Sequence, residues 1–311
     1  MADVASLRAL GLSQGTERTY SQGVKLFKKF ASLRNISHIN FNVMQRFVLF
    51  MVSERALAYN TIKTYSCAVK DWALEGGCTD PTFAYTNGGH HLFKKLMRGA
   101  LRACMNTPRR KKPLKRGHVR AILENLHACT IVESEKIVFR ASLLLAFYGF
   151  MRSSEYLSTP YNSDSFLRRK DVKLLSDRVK LRLRRTKTSQ FAPVFVNIFR
   201  QESMWCPVRE LHTYLASVRP ANDGALFLSF GKPLSAKRFN FLLREGTRSA
   251  GLNPRHFSSH SIRSGAASSA ADKETLGYVI QRMGRWSSDT YKQYIRGETK
   301  AVQAAQRKIV V

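Results

Sequence analysis

The stretch NTPRRKKPLKRG, residues 106–117, constrains the fold more than any other part of the chain. It holds two prolines, six Lys or Arg residues and no acid. Prolines interrupt helices and strands, and a run of like charges stays in solvent. We therefore predict that residues 1–106 and 117–311 form separate domains joined by a basic linker, residues 107–116. Such a linker lies along a phosphate backbone, serves as a nuclear import signal, or is a solvated loop with neither role.

Apolar residues recur at three- and four-residue spacing through the first region, which is typical of amphipathic helices. Asn60 or Thr61 is expected to cap the start of the third helix. Helices are predicted over residues 14–34, 41–57, 60–75 and 91–105. Four such helices with short joints predict a small bundle with basic outer faces.

The second region combines helical and strand patterns. Apolar and basic residues alternate over residues 179–184, as in a strand with one buried face, and residues 195–198 supply a partner strand. An antiparallel hairpin is therefore expected, with its turn near Lys187–Gln190. Helices are predicted over residues 117–127, 133–150, 207–218, 235–250, 260–271, 274–284 and 288–296. The predicted fold class is mainly α, with one small antiparallel sheet in the second domain.

The charge balance indicates the partner. The chain has 52 Lys and Arg residues against 21 Asp and Glu residues, a formal net charge of +31. Such a surface attracts polyanions, so nucleic acid is the expected partner rather than an anionic membrane. A cationic protein with no polyanionic partner is the alternative. The predicted DNA contacts are Arg109, Arg110, Lys111, Lys112, Lys115, Arg116 and Lys63.

Cysteine usage and hydropathy indicate a soluble, intracellular chain. The five cysteines are scattered and include no CxxC pair, which argues against a disulfide framework and suits a reducing compartment. The first 20 residues lack the apolar core of a signal peptide, and the longest apolar run, residues 143–151, is too short to span a bilayer. His256 and His260 have no nearby cysteine or carboxylate to complete a zinc site, so no metal or cofactor is expected.

Two features of the second region admit either a structural or a chemical interpretation. Arg152 and Glu155 lie three residues apart directly after a buried helix, and taken alone they suggest a surface ion pair. Lys187 lies at the predicted hairpin tip and, taken alone, suggests a solvated turn lysine.

Two further features lie near the C-terminus. His260 and Arg263 share one face of a helix that continues with small residues, which allow close packing against a backbone. Trp286 precedes two tyrosines, Tyr291 and Tyr294, and core packing is the simplest role for all three aromatic side chains.

As a set, these residues resemble the tyrosine recombinase (integrase) family, which includes Cre, the Xer recombinases and lambda-type integrases. The shared order is Arg152, Lys187, His260-x-x-Arg263, Trp286 and Tyr294. The resemblance covers nearly the whole chain and implies a four-helix, SAM-like core-binding domain followed by an α-rich catalytic domain. The segment from His260 to Arg296 is most similar to recombinases of eukaryotic mobile elements such as DIRS-like retroelements and Cryptons.

The resemblance implies roles for the phosphate-binding residues. Arg152 and Arg263 would hold the scissile phosphate, since planar guanidinium groups match its oxygens. Glu155 would orient Arg152 or His260 rather than react.

The resemblance also implies roles for the residues that handle protons. His260 would act as acid–base partner of the nucleophile, and Lys187 would protonate the departing 5′ oxygen. Trp286 stands where the family often has histidine, and its indole N–H can still donate to the phosphate.

The nucleophile would be a tyrosine near the C-terminus. Tyr294 lies eight residues after Trp286 and Tyr291 lies five after it, whereas family members have a gap of about nine. We assign the role to Tyr294 because it precedes a short apolar–basic tail, although the shortened gap leaves Tyr291 open. Residues 300–311 would dock into a neighbouring protomer, unless they form only a frayed terminus.

The implied function is site-specific cleavage and rejoining of double-stranded DNA through a 3′-phosphotyrosine intermediate, without a metal ion or ATP. The enzyme would serve mobile-element integration or excision as a dimer on each site and a tetrameric synapse, in the nucleus of a eukaryotic host. The alternative is a domesticated, catalytically silent DNA-binding protein of the same fold. A type IB topoisomerase would share the chemistry without joining two sites.

Overall fold

The computed structural model describes residues 11–85, 88–104, 111–159, 166–186, 189 and 192–293. The chain divides into two compact units, Met1–Arg109 and Arg110–Val311. Both units are mainly helical, and the second adds a small antiparallel sheet. Mainly helical architecture with a small antiparallel sheet is the predicted fold class, which is confirmed. Across the described residues, no helix is long and apolar enough to cross a membrane.

The described part of the first unit contains four helices around an aromatic core. Asn40 caps the second helix by accepting a hydrogen bond from the backbone N–H of Val43 at 3.0 Å. Phe27 and Phe47 meet edge to face with ring centroids 5.2 Å apart, a favoured geometry for aromatic pairs. The helices are α1 (Gln14–Leu33), α2 (Phe41–Ser53), α3 (Tyr59–Glu75) and α4 (His91–Ala103).

The helix ends in the first unit differ from the prediction at two places. Helix α2 ends at Ser53 rather than at residue 57, because Ala56 takes a left-handed backbone conformation (φ 46°) that stops the helix. Helix α3 begins at Tyr59, and its N-cap Ala58 makes no side-chain capping bond. The predicted Asn60 or Thr61 cap is therefore wrong.

The second unit packs seven helices of its described residues around one core. Helix α6 lies deepest, and ten of its sixteen residues are buried. The helices are α5 (Arg116–Glu124), α6 (Glu133–Tyr148), α7 (Ser153–Tyr156), α8 (Pro207–Val218), α9 (Ala236–Ser249), α10 (Ser259–Ala271) and α11 (Gly277–Gly284). Short 3₁₀ turns lie at Leu126–Ala128, Arg169–Asp171, Pro254–His256 and Asp289–Gln293. A helix was predicted over residues 288–296. Within the described residues, which end at 293, this segment forms the last of these 3₁₀ turns.

The predicted hairpin is confirmed and supplies two strands of a three-stranded sheet. Strands β1 (Val172–Leu174), β2 (Arg178–Leu183) and β3 (Val194–Phe199) pair antiparallel in that order. Leu181 on β2 lies opposite Val196 on β3, and both are buried in the core. A second hairpin joins β4 (Leu228–Ser229) to β5 (Lys232–Pro233). Strands β1, β4 and β5 were not predicted, because two or three residues are too few to show a period.

The second half of the predicted linker packs against the second unit. Leu114 is fully buried, and its backbone N–H donates to the Ser261 carbonyl at 2.8 Å. The side chain of Lys115 pairs with Asp272 at 2.8 Å. Residues 111–116 are therefore part of the folded second unit. The sequence pattern did not predict this packing, because the Lys and Arg residues of the segment outnumber Leu114, the apolar residue that anchors it. Arg109 and Arg110 lie outside the described residues.

Helix α10 accepts this segment because of a glycine. A Cβ built on Gly265 would overlap the Leu114 carbonyl, far inside van der Waals contact. The prediction that the small residues after Arg263 allow close approach to a backbone is confirmed here. Glycine is required at this position for space.

Gly265→Ala is expected to destabilise the second unit by about 1–3 kcal/mol, since overpacking forces backbone shifts. The measurement is urea unfolding, with limited proteolysis at residues 111–115 to detect release of the segment. Gly117→Ala is the control and should not destabilise the unit, because no atom lies within 4 Å of its added Cβ. Equal stability of the two variants would contradict the packing.

Candidate active site

The site is built on the C-terminal end of helix α6. The helix is followed by its C-cap Gly149, and Phe150 takes a left-handed backbone conformation with φ 48° while its ring is buried. The last carbonyls of a helix have no partner within it, and they carry the negative end of the helix dipole. The carbonyls of Gly149 and Phe150 follow directly after the helix at this negative end, and they therefore favour cationic donors.

Arg263 on helix α10 is the first such donor. Its Nη1 donates to the Phe150 carbonyl at 2.9 Å, and its Nη2 donates to the Gly284 carbonyl. The guanidinium lies 4.4 Å from the centroid of the Trp286 ring, within the range of a cation–π contact. Only 8% of Arg263 is exposed, so packing and hydrogen bonds fix its position.

Arg285 is the second donor and was not predicted from the sequence. It follows helix α11 with a left-handed backbone conformation (φ 55°), and its side chain reaches the end of helix α6. Its Nη1 donates to the Gly149 carbonyl at 2.9 Å, and its Nη2 lies 3.3 Å from the Phe150 carbonyl. Burial lowers the pKa of the guanidinium from its usual value, and the nearby Glu155 carboxylate opposes that shift.

Glu155 connects Arg285 to Arg152. The carboxylate is 2% exposed and accepts from Arg285 Nη2 at 2.8 Å and from Arg152 Nη1 at 3.1 Å. It also accepts from the backbone N–H of Arg152 at 2.9 Å, which caps helix α7. The simple interpretation of Arg152 and Glu155 as a surface ion pair is therefore wrong, because the acid is buried.

Trp286 covers one side of this cluster. Its ring meets Phe150 edge to face, with centroids 6.4 Å apart, and lies 6.3 Å from the ring of Tyr291. A Cβ on Gly284 would overlap the indole, so glycine is needed directly before the Arg285–Trp286 pair. Tyr291 is buried at 8% exposure, as expected for a packing residue.

His260 lies one turn before Arg263 on helix α10 and is exposed. The start of this helix is fixed by Ser258, whose backbone N–H donates to Ser261 Oγ at 3.0 Å, and by Asn240, which accepts from the backbone N–H of Ser259 at 2.9 Å. One helix thus holds a buried arginine and presents a histidine to solvent.

Two predicted catalytic residues, Lys187 and Tyr294, lie outside the described residues. The strands that lead to Lys187 are described, and Thr186 and Ser189 bridge them, with the Thr186 N–H donating to the Ser189 carbonyl at 2.8 Å. The roles assigned to Lys187 and Tyr294 remain predictions.

The described basic residues predicted to contact DNA lie in both units. Lys111 donates through Nζ to the Arg255 carbonyl at 2.7 Å, and Lys115 is the partner of Asp272. Lys112 and Arg116 bond to the second unit through their backbone N–H groups. Lys63 lines a surface cavity of the first unit. Their contacts with DNA remain predictions.

The arrangement suits an anion rather than a metal ion. Three guanidinium groups, from Arg152, Arg263 and Arg285, lie in one cluster with the Glu155 carboxylate, which leaves an excess of positive charge. Within the described ranges, no three His, Cys, Asp or Glu side chains are placed to hold a metal ion. Of the two arginines that bind Glu155, Arg152 is the more accessible, at 19% exposure against 12% for Arg285.

Comparison with protein families matches residues 112–300 to the phage integrase family. The match covers more than half of the chain. The chain belongs to the phage integrase family. This confirms the predicted tyrosine recombinase class, while the closer similarity to DIRS-like or Crypton recombinases remains a prediction. No curated protein matches the chain.

Solved structures of integrases and recombinases resemble most of the chain. The Tn1549 transposon integrase in complex with transposon right end DNA is 14% identical, with a TM-score of 0.67 over 99% of this chain and 98% of that one. The XerH site-specific recombinase in a post-cleavage complex is 16% identical, with a TM-score of 0.65 over 93% and 78%. Lambda integrase bound to DNA is 16% identical, with a TM-score of 0.59 over 93% and 91%. At these identities the similarity establishes the fold.

Arg263→Lys is expected to lower the free energy of unfolding by about 1–3 kcal/mol, since an ammonium group cannot serve the Phe150 and Gly284 carbonyls and the Trp286 ring together. Urea unfolding measures the loss. Arg255→Lys, at an exposed arginine in the turn before helix α10, is the matched control and should leave stability unchanged. An equally small effect of both changes would show that the bonds of Arg263 do not hold the site together.

Proposed function

We propose that this phage integrase family member is a site-specific DNA recombinase that cleaves and rejoins strands through a 3′-phosphotyrosine intermediate. The observation that carries the proposal is the linked cluster at the end of helix α6. Arg263 and Arg285 share the Phe150 carbonyl, and Arg285 shares Glu155 with Arg152. Two of these arginines are those expected to hold a phosphate.

The chemistry follows from the charge of a phosphodiester. Attack on phosphorus places negative charge on the non-bridging oxygens, and fixed guanidinium groups stabilise that charge as an oxyanion hole does. Arg152 and Arg263 supply this stabilisation, and Trp286 adds an indole donor. The proposed reaction needs no metal ion because the arginines provide the positive charge.

The nucleophile is the phenolic oxygen of Tyr294. With a free pKa near 10, about 0.1% of a tyrosine is ionised at neutral pH, so nearby cations and His260 must favour the phenolate. The oxygen bonds to phosphorus, the P–O5′ bond breaks, and Lys187 protonates the departing 5′ oxygen. The phosphotyrosine ester retains the energy of the broken bond, so a 5′-hydroxyl can displace the tyrosine and religate DNA without ATP.

The biological role is proposed at the level of mobile-element integration or excision. The similarity to a transposon integrase bound to transposon-end DNA and to a site-specific recombinase in a post-cleavage complex supports it. Double-stranded DNA is the proposed partner, in agreement with the net charge of +31. Assembly into a dimer or tetramer through residues 300–311 and nuclear localisation stay predictions, and residues 300–311 lie outside the described part of the chain.

Incubation with nicked duplex substrates bearing the target site is expected to give a covalent protein–DNA adduct in the presence of EDTA. Tyr294→Phe should abolish the adduct because it removes the attacking oxygen. Tyr291→Phe is the matched control and should retain it, since Tyr291 is buried against Trp286. Denaturing electrophoresis of labelled DNA measures the adduct.

Three other outcomes would change the assignment. Loss of the adduct in Tyr291→Phe with retention in Tyr294→Phe would move the nucleophile to Tyr291. Tight DNA binding without any adduct would favour the catalytically silent DNA-binding protein. Relaxation of supercoiled DNA without joining of two sites would favour a topoisomerase.

Lys187→Ala is expected to slow cleavage by on the order of a hundredfold, within the range for general acid catalysis. A substrate with sulfur in place of the bridging 5′ oxygen should restore the rate, because a thiolate leaves without protonation. The single-turnover rate of adduct formation measures both effects. An equal loss on the oxygen and sulfur substrates would remove Lys187 from the role of general acid.

A further inference from the structure

Arg285 has no role in the motif set that identifies the family, yet three hydrogen bonds tie it to the cluster. Its Nη1 bonds to the Gly149 carbonyl, and its Nη2 bonds to the Phe150 carbonyl and Glu155. Its remaining donor, Nε, is buried and has no partner among the described residues. Because these donors are used or buried, any contribution of Arg285 to catalysis must pass through another residue.

That residue is Arg152, and the Glu155 carboxylate lies between the two guanidinium groups. Oε1 accepts from Arg152 Nη1 at 3.1 Å, whereas Oε2 accepts from Arg285 Nη2 at 2.8 Å and from the backbone N–H of Arg152 at 2.9 Å. The carboxylate is thus shared by two guanidiniums. A carboxylate with a single arginine partner favours the bidentate, fork-to-fork geometry, which neutralises that arginine and uses two of its donors.

The contacts of Arg285 also hold its backbone in an unfavourable conformation. A left-handed conformation is unfavourable for a non-glycine residue, and such strain persists where the surrounding contacts hold it. Here the contacts that hold it include those of the guanidinium itself with the end of helix α6 and with Glu155.

We infer that Arg285 is a positioning residue that holds Glu155 away from a bidentate pairing with Arg152, so that Arg152 keeps donors and positive charge for the phosphate. This inference rests on the proposed function for its catalytic consequence. Arg285 also ties Arg152 to Arg263, because both Arg263 and Arg285 bond to the Phe150 carbonyl. A change at residue 285 should therefore act on Arg152 through the charge of Glu155.

The test is a double-mutant cycle on residues 285 and 155. Arg285→Met is expected to slow single-turnover adduct formation by on the order of tenfold to a hundredfold, as for a misplaced binding group. Adding Glu155→Gln to the Arg285→Met variant should recover at least about tenfold of that loss, because the neutral amide no longer neutralises Arg152. Arg285→Lys should recover part of the loss by keeping one charge near Oε2.

Arg219 supplies the matched control. It also follows a helix, α8, with a left-handed backbone (φ 47°), but its side chain is exposed. Arg219→Met should leave the rate unchanged. If Arg285→Met slows the reaction equally with and without the Glu155→Gln change, the residue acts only by supporting the fold and the inference fails. An unchanged rate in Arg285→Met would also overturn it.

A second readout separates this inference from the proposed function. Isothermal titration measures the association constant of tungstate, a tetrahedral oxyanion, for the protein without DNA. The contribution of Arg152 is the ratio of this constant with arginine to that with methionine at residue 152. The contribution of Arg152 to the association constant should fall at least about fivefold in Arg285→Met, because Glu155 then neutralises more of the charge of Arg152. It should return when Glu155→Gln is added. If the wild-type protein forms no adduct on any substrate, the proposed function fails while tungstate binding still tests Arg285. Tungstate binding that is the same with arginine and with methionine at residue 285 would contradict the inference.

Discussion

The carbonyls of Gly149 and Phe150, in the turn after helix α6, organise the second unit around its site. A buried helix end needs donors from elsewhere, and a left-handed Phe150 directs its carbonyl to two arginines from distant parts of the chain. Because Arg263 comes from helix α10 and Arg285 follows helix α11, one turn fixes three elements relative to each other. The same hydrogen bonds therefore satisfy the carbonyls after helix α6 and bring the arginines of the site together.

Burying two guanidiniums requires compensation, and the structure supplies it without neutralising the site. Desolvation and the nearby charge of Arg152 disfavour the charged form of Arg285, whereas Glu155 favours it. The carbonyls of Gly149 and Phe150 accept hydrogen bonds from its guanidinium. One buried carboxylate serves two arginines, so positive charge remains for a ligand. Removing Glu155 would leave the positive charges of Arg152 and Arg285 in contact, and a second carboxylate would neutralise the positive charge that attracts an anion. The ratio of guanidinium to carboxylate groups is thus the property that suits the cluster to a phosphate.

The sequence predicted those parts of the fold and site that depend on periodicity and residue type. Helices lie where an apolar stripe extends over several turns, and Arg152, Arg263 and Trp286 do meet around one cluster. Arg285 was missed because its burial depends on a left-handed backbone, which the one-dimensional pattern does not encode for a non-glycine residue. Its neighbours Gly284 and Trp286 contained a signal, since glycine before a bulky ring allows close packing.

The basic stretch after residue 106 was misread in part for a related reason. Charge runs normally indicate solvent exposure, but one apolar residue can anchor an extended segment if its partner offers space. Leu114 does so because Gly265 leaves room for its backbone on helix α10. The same helix carries Arg263 two residues earlier and His260 one turn before that. Contact with residues 111–116 therefore fixes helix α10, which carries both His260 and Arg263. This segment thus helps to position the site.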